Sequence, residues 1–230
     1  IQPQEDLWDE SALDYYRQIL QGLSERGLTP FIALHHFSDP LWLSQIGGWE
    51  NPRVVDYFVR FTEKVVDALA EYCSFWITIN EPNVYVVEGY IEGIFPPGKQ
   101  DLGNAFTVMA NMVKAHAAAY RAIHQKQKKA QVGIAHNYRH FLPESNWNPM
   151  DNSIARILHQ YFNNSFANAV HSGNLQFLFR RESIKIANNT QDFIGVNYYT
   201  ADQVQFNLLR YKNLFYEAKP PKGSELSENK

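Results

Sequence analysis

Much that would direct function elsewhere is scarce or missing in this sequence. Its 230 residues hold a single cysteine, Cys73, which rules out an internal disulfide and a cysteine-ligated zinc site. So little thiol is what a reducing compartment allows, and a cytoplasmic location is the expectation. No G-x-G-x-x-G or Walker loop occurs, so the common backbone cradles for nucleotide phosphates are absent. Neither sign of charge dominates: 21 Lys and Arg against 24 Asp and Glu leave a formal net charge of -3. A slightly negative chain of this kind has no large basic field to gather nucleic acid or an anionic membrane. The one basic run, His-Gln-Lys-Gln-Lys-Lys at 124–129, reads as a helix C-terminus, where cations meet the negative end of the helix dipole. No apolar run reaches the roughly 18 residues of a membrane span. The opening IQPQEDLWDE lacks the basic-then-apolar order of a signal peptide and reads as mid-domain sequence. These absences leave a small uncharged molecule as the expected partner, with no nucleic acid, no membrane, and no metal or organic cofactor implied.

What is present is a chain 45% hydrophobic, with 14% aromatic residues that include 13 Tyr and 5 Trp. This suffices for a sizeable core and for aromatic walls around a ligand. The apolar pattern alternates between two periods. Asp9 and Ser11 offer cap oxygens to a helix with Leu13, Tyr16, Leu20 and Leu23 on one face, closed by Gly27. TPFIALHHF then reads as a buried strand. Asn51-Pro52 opens a helix striped by Val55, Phe58, Phe61, Val65 and Leu69, and the strand FWITIN follows. Asn104 is the expected cap of a third helix through Val108, Met112, His116, Tyr120 and Ile123, leading to the strand QVGIAH. Asp151 starts a fourth helix, with Ile154, Leu158, Tyr161 and Phe162 inward, and the strand DFIGVNYYT comes after a less regular stretch to Asn189. No hairpins are expected, and residues 217–230 read as an exposed loop.

Strand–helix–strand repetition calls for parallel strands, because only a long crossover joins adjacent parallel strands. An open doubly wound sheet and a (β/α)8 barrel both satisfy it. Polar residues at the strand ends favour the barrel. His35 and His36, Asn80 and Glu81, His136 and Asn137, Asn197 and Tyr199 each stand where a strand finishes, and a barrel gathers such ends on one rim. Four strands are half of what closes a barrel. The expected fold is therefore α/β, a partial (β/α)8 TIM barrel of about strands 3 to 6 with their helices, not closed within this chain. Residues 1–230 are expected to be the central part of a single domain.

On IQPQEDLWDESALDYYRQIL, LHHFSDPLWL, GGWENPRVVDYF, WITINEPN, FPPG and DFIGVNYYT, the chain resembles glycoside hydrolase family 1, the retaining β-glucosidases and their relatives. The resemblance implies that Glu81 is the general acid/base and that Asn80 binds the sugar hydroxyl beside the reacting carbon. It further implies that His36 contacts the glycone, and that Tyr199 hydrogen-bonds the nucleophile with Asn197 close by. The implied substrate is a β-glucoside or a similar β-linked sugar, without cofactor. One departure is visible: Phe37 stands where many members carry Trp, which removes an indole donor. The family's nucleophile is a glutamate in a Thr-Glu-Asn-Gly motif at the end of strand 7, and it has no counterpart here. Glu228 in SENK follows Lys-Pro-Pro-Lys-Gly, with no apolar strand before it. The isolated chain is accordingly expected to be inactive.

Retaining hydrolysis needs two carboxyls about 5–5.5 Å apart, one attacking the anomeric carbon and one carrying the proton. Plainer readings stand beside each residue. Asn-Glu-Pro can be a strand end followed by a turn. Alternation sends one of two neighbouring histidines away from the pocket, which makes His35 a core residue. Tyr198 and Tyr199 can be core aromatics, and Trp42, Trp49 and Trp76 packing residues. The sequons at Asn163 and Asn188 matter only in a secreted protein. The alternative function is a non-catalytic sugar- or partner-binding relative of the same barrel.

Overall fold

The computed structural model describes residues 1–224. Helix α1 (Glu10–Glu25) begins on Asp9, whose carboxylate accepts the Ala12 N–H, and stops before Gly27 in the left-handed region. Strand β1 (Phe31–His35), a short helix α2 (Leu41–Gln45), and α3 (Val54–Leu69) follow. Asn51 lies just ahead of α3, its side-chain oxygen accepting from the backbone of Arg53. Strand β2 (Phe75–Asn80) runs straight into α4 (Pro82–Tyr90), a helix that the sequence reading lacks. The long α5 (Leu102–Lys126) is capped by Asp101, whose carboxylate takes the N–H groups of Gly103 and Asn104. Asn104 is therefore inside the first turn and is not the cap. The basic run closes α5 as expected, with His124 and Lys126 in its last turn.

After β3 (Gln131–Pro143), α6 (Pro149–Leu158) is capped by Asn148 rather than started by Asp151. Asp151 is buried and instead accepts from the backbone N–H groups of Ser145 and Phe206. A π-helical turn (His159–Asn164) joins α6 to α7 (Ser165–Ser172). Strands β4 (Asn174–Phe177) and β5 (Arg180–Ser183) form an antiparallel pair, β6 is Phe193–Phe206, and β7 is Tyr216–Lys219. The hairpin-free reading is thus corrected twice, at β4–β5 and where β7 returns antiparallel along β6. Strand β7 also takes residues 217–219 out of the segment expected to be a loop. Residues 225–230, Glu228 among them, lie outside the described residues.

The main sheet has the order β1-β2-β3-β6-β7, with its first four strands parallel, and it is open. Helices α1, α3 and α5 cover one face. Leu13, Leu20, Val65, Val66 and Leu69 meet Trp76, Ile123 and Val132 in one apolar cluster, and Met109, Met112, Leu158, Phe162 and Phe166 belong to a second. On the opposite face, Phe31, Phe75 and Phe193 form an aromatic layer, the first two stacked at 4.4 Å. Residues two apart share a face, so Phe193 and Asn197 belong with this layer, while Ile194, Val196 and Tyr198 point the other way and are exposed. Helices therefore cover one face of β1 to β3, while Phe31 and Ala33 on the other face of β1 are exposed, as befits a barrel that is not closed within this chain.

Candidate active site

The stretch Asn80-Glu81-Pro82 turns a strand into a helix within one residue. Pro82 occupies the first helical position, where its fixed φ fits and its missing N–H leaves nothing unpaired. Glu81 bears the conformational cost, with φ 48° and ψ 55°. A left-handed non-glycine residue is disfavoured by roughly 1–2 kcal/mol, so the surroundings must hold it. They do so through backbone and side chain alike. Its N–H donates to the Ala135 carbonyl at 2.6 Å, and its side chain, which does not cap α4, turns back over the sheet and is 6% exposed.

Ladder register brings the companions of this carboxylate. Asn80 lies level with Ala135, and two residues on, Asn137 pairs directly with Asn197 across β3 and β6. Both amides reach one atom. Asn137 Nδ2 donates to Glu81 Oε1 at 3.2 Å and Asn197 Nδ2 to the same oxygen at 2.8 Å. Asn197 Nδ2 also donates to Asn80 Oδ1 at 3.2 Å, which engages the oxygen of Asn80 and turns its own N–H groups outward from that contact. Three neighbouring strands thus contribute to a cluster of amides around a single buried carboxyl. On the other face of β3, His136 donates from Nε2 to the Asn163 carbonyl at 2.8 Å. Burial holds its pKa below the usual histidine value, against the opposing pull of that carbonyl and of Glu81, so the ring is neutral.

The other residues singled out in the sequence are distributed less evenly. His36 is exposed at the end of β1, its ring 5.2 Å from that of Phe37, which has φ 63° and packs on Phe95. His35 takes the core position. Its Nε2 lies 3.1 Å from Asp39 Oδ1, and Trp49 Nε1 and the Tyr85 hydroxyl donate to the same carboxylate at 3.0 and 2.7 Å. Burial raises the pKa of Asp39, but the hydrogen bonds from His35, Tyr85 and Trp49 outweigh it and hold the carboxyl below its usual range. A cleft of about 600 Å³ beside β1 is lined by His35, His36, Asp39, Trp42 and Tyr57, and Glu81 is not part of its wall.

Tyr198 and Tyr199 are 58% and 75% exposed, so neither is a core aromatic. The β3–β6 ladder shifts register just past Tyr138, and both rings emerge there. Among the described residues, Tyr199 makes no side-chain hydrogen bond, and the structure does not bring it against Glu81. Trp49 and Trp76 are buried, and Asn163 is buried too, which leaves its sequon inaccessible in the folded chain. The residue that sequence reasoning left off its site is Asn137. Its signal was the position at a strand end, one residue past His136, but only the register with Asn197 shows what it faces.

Residues 3–226 match glycosyl hydrolase family 1. β-Glucosidase A of Thermotoga maritima is 31% identical over 211 residues, which are 86% of this chain and 47% of that protein. Among solved structures, a β-glycosidase from Pyrococcus horikoshii superposes with a TM-score of 0.88 at 36% identity, over 99% of this chain and 51% of that one. A β-glucosidase from Thermotoga maritima in complex with deoxynojirimycin gives 0.85 at 28% identity, over 94% and 51%. This chain spans about half the length of the relatives it matches, and its open parallel sheet is a partial TIM barrel. A match over nearly all of its residues places the chain in glycosyl hydrolase family 1.

Proposed function

We propose that this chain carries the acid/base side of a retaining β-glycosidase site, with Glu81 as proton carrier and a β-glucoside or similar β-linked sugar as substrate. The observation that carries the reading is the convergence of Asn137 and Asn197 on one oxygen of a buried carboxyl at the C-terminal rim of a parallel sheet. Barrel enzymes place their chemistry on that rim. A strained backbone at Glu81 supports the same reading, since strain of this kind concentrates at functional positions.

Glu81 delivers a proton to the departing glycosidic oxygen as the sugar develops oxocarbenium character, and it later takes a proton from the water that releases the sugar. Asn80, its oxygen held by Asn197, donates N–H to the sugar hydroxyl beside the reacting carbon without adding charge near Glu81. His36 contacts the glycone from the end of β1. The attacking carboxylate comes from a segment outside this chain and meets the Tyr199 hydroxyl there. On this reading, the isolated 230 residues are inactive and the intact protein that contains them is the enzyme. The names of the related β-glucosidases, and the deoxynojirimycin bound by one of them, support a sugar in the site.

The stereochemical course tests this. Proton NMR of a β-glucoside digested by the intact protein should show the β-anomer of the free sugar first, with the α-anomer arising only by mutarotation. Initial release of the α-anomer, or no cleavage of any β-linked sugar, contradicts the assignment.

A further inference from the structure

Glu81 has two carboxyl oxygens, and the surroundings treat them differently. Oε1 accepts from Asn137 and from Asn197, and Oε2 has no hydrogen bond among the described residues. A carboxyl oxygen offers about two acceptor sites, and both on Oε1 are filled by N–H groups. Building on the glycosidase reading above, we propose that Asn137, held in place by the π-helical turn His159–Asn164, is a positioning residue that keeps the catalytic proton on Oε2 of Glu81. A proton on Oε1 would have to displace an amide donor, whereas Oε2 is free to carry it and to meet the leaving oxygen.

Two features set Asn137 apart from a packing residue. Its Nδ2 bonds only to Glu81, and its Oδ1 is buried without a partner among the described residues. An unpaired buried carbonyl is unfavourable, and an apolar side chain of similar size would avoid it. The amide is explained by its N–H. The second feature is how its backbone is held. The β3–β6 ladder shifts register between Tyr138 and His140 before it resumes, and at that break the π-helical turn adds its own support to β3. Asn83 Nδ2 bridges the carbonyls of Asn137 and Phe162 at 2.8 and 3.1 Å. Asn163 forms a reciprocal pair with Arg139, accepting its N–H at 3.1 Å and donating to its carbonyl at 2.8 Å, while the Asn163 carbonyl takes His136. Residues 136, 137 and 139 are thereby fixed to 162 and 163. π-helical turns recur at functional sites, and here one fixes the strand that aims Asn137.

The test compares two aryl β-glucosides with the intact enzyme, one with a poor leaving group and one with 2,4-dinitrophenol, whose departure needs little protonation. Asn137→Ala should lower kcat/KM for the poor leaving group about tenfold or more, part of the 10²–10⁴ that a positioned acid contributes, and change the dinitrophenyl substrate less than about threefold. Asn163→Ala, which loosens the same support from the other side, should show the same bias to a smaller degree. Equal losses on both substrates, or none on either, overturn the proposal. So does failure of both variants to fold, which would make the role structural. An unsubstituted enzyme that cleaves neither substrate overturns the glycosidase reading itself, and this proposal with it.

Discussion

On the proposed reading, the two asparagines that meet on Glu81 act through geometry, and their replacement should separate activity from stability. Asn197 holds both Asn80 and Glu81, so Asn197→Ala should lower kcat/KM of the intact protein by about 10–100-fold, a share of the general-acid contribution. It should destabilise the fold by only about 1 kcal/mol, the usual net worth of a lost hydrogen bond. Steady-state kinetics beside a urea melt checks both. Tyr199→Phe should leave the melt of this chain unchanged within about 0.5 kcal/mol, because the ring is exposed and its hydroxyl is unpaired among the described residues. A larger shift would show that the hydroxyl is already engaged within the chain. Single residues were legible to different degrees. Glu81 and Asn80 announced themselves because a β-branched strand stopped at Pro82, and alternation assigned His35 to the core correctly. Asn137 did not, since what its side chain meets depends on which residue of β6 stands opposite. One sequence contains no such cross-strand information.

Strands and helices have their own sensitive points. Gly133 on β3 pairs with Phe193 on β6 so closely that an added Cβ would lie 2.2 Å from the Phe193 carbonyl oxygen. Gly133→Ala must push the strands apart, and a cost of about 1–3 kcal/mol in urea unfolding is expected. Helix α5 is fixed to β2 and to the loop before β6 through His116, which accepts from the Thr78 hydroxyl and donates to the Thr190 carbonyl, both at 2.6 Å. Burial pushes the pKa of His116 down to about 4. Above pH 6.5 the ring is neutral folded or unfolded, and this group adds no pH dependence. Between pH 6.5 and 4 the unfolded chain takes a proton that the folded chain refuses, so stability should fall with pH by roughly 3 kcal/mol across that window. Denaturation midpoints at pH 7 and 5 should show this slope in the parent and lose that part of it in His116→Gln.

Helices α1, α3, α5 and α6 and the parallel strands were readable from period, because their apolar stripes are long; α4 was not, since all its residues are buried and it has no polar face to set a period. Caps were not: Asp101 and Asn148 each stand three residues before the residue chosen, and several nearby polar side chains offered equally good oxygens. The β4–β5 pair escaped because four-residue strands carry too little alternation to register.

Taken whole, the molecule is a parallel sheet with helices on one side of β1 to β3 and an uncovered outer face on β6. Ile194, Val196 and Tyr198 form a row of exposed apolar side chains along that strand. Rows of this kind promote association. The isolated chain should elute ahead of a monomer in size-exclusion chromatography, and Val196→Lys should move it toward the monomer position. The partial barrel was legible because four parallel strands with polar ends cannot close by themselves. The direction in which β7 returns was not, since it lies in a polar segment with little periodic signal. What the fold brings to its rim is the buried carboxyl of Glu81, to which the proposed function assigns the proton. The decisive experiment is kcat/KM of the intact protein on an alkyl or other poorly leaving β-glucoside, before and after Glu81→Gln. A loss of about 10²–10⁴ is expected if Glu81 supplies the proton. A variant that retains the parent rate on that substrate would show that some other group carries out the acid catalysis.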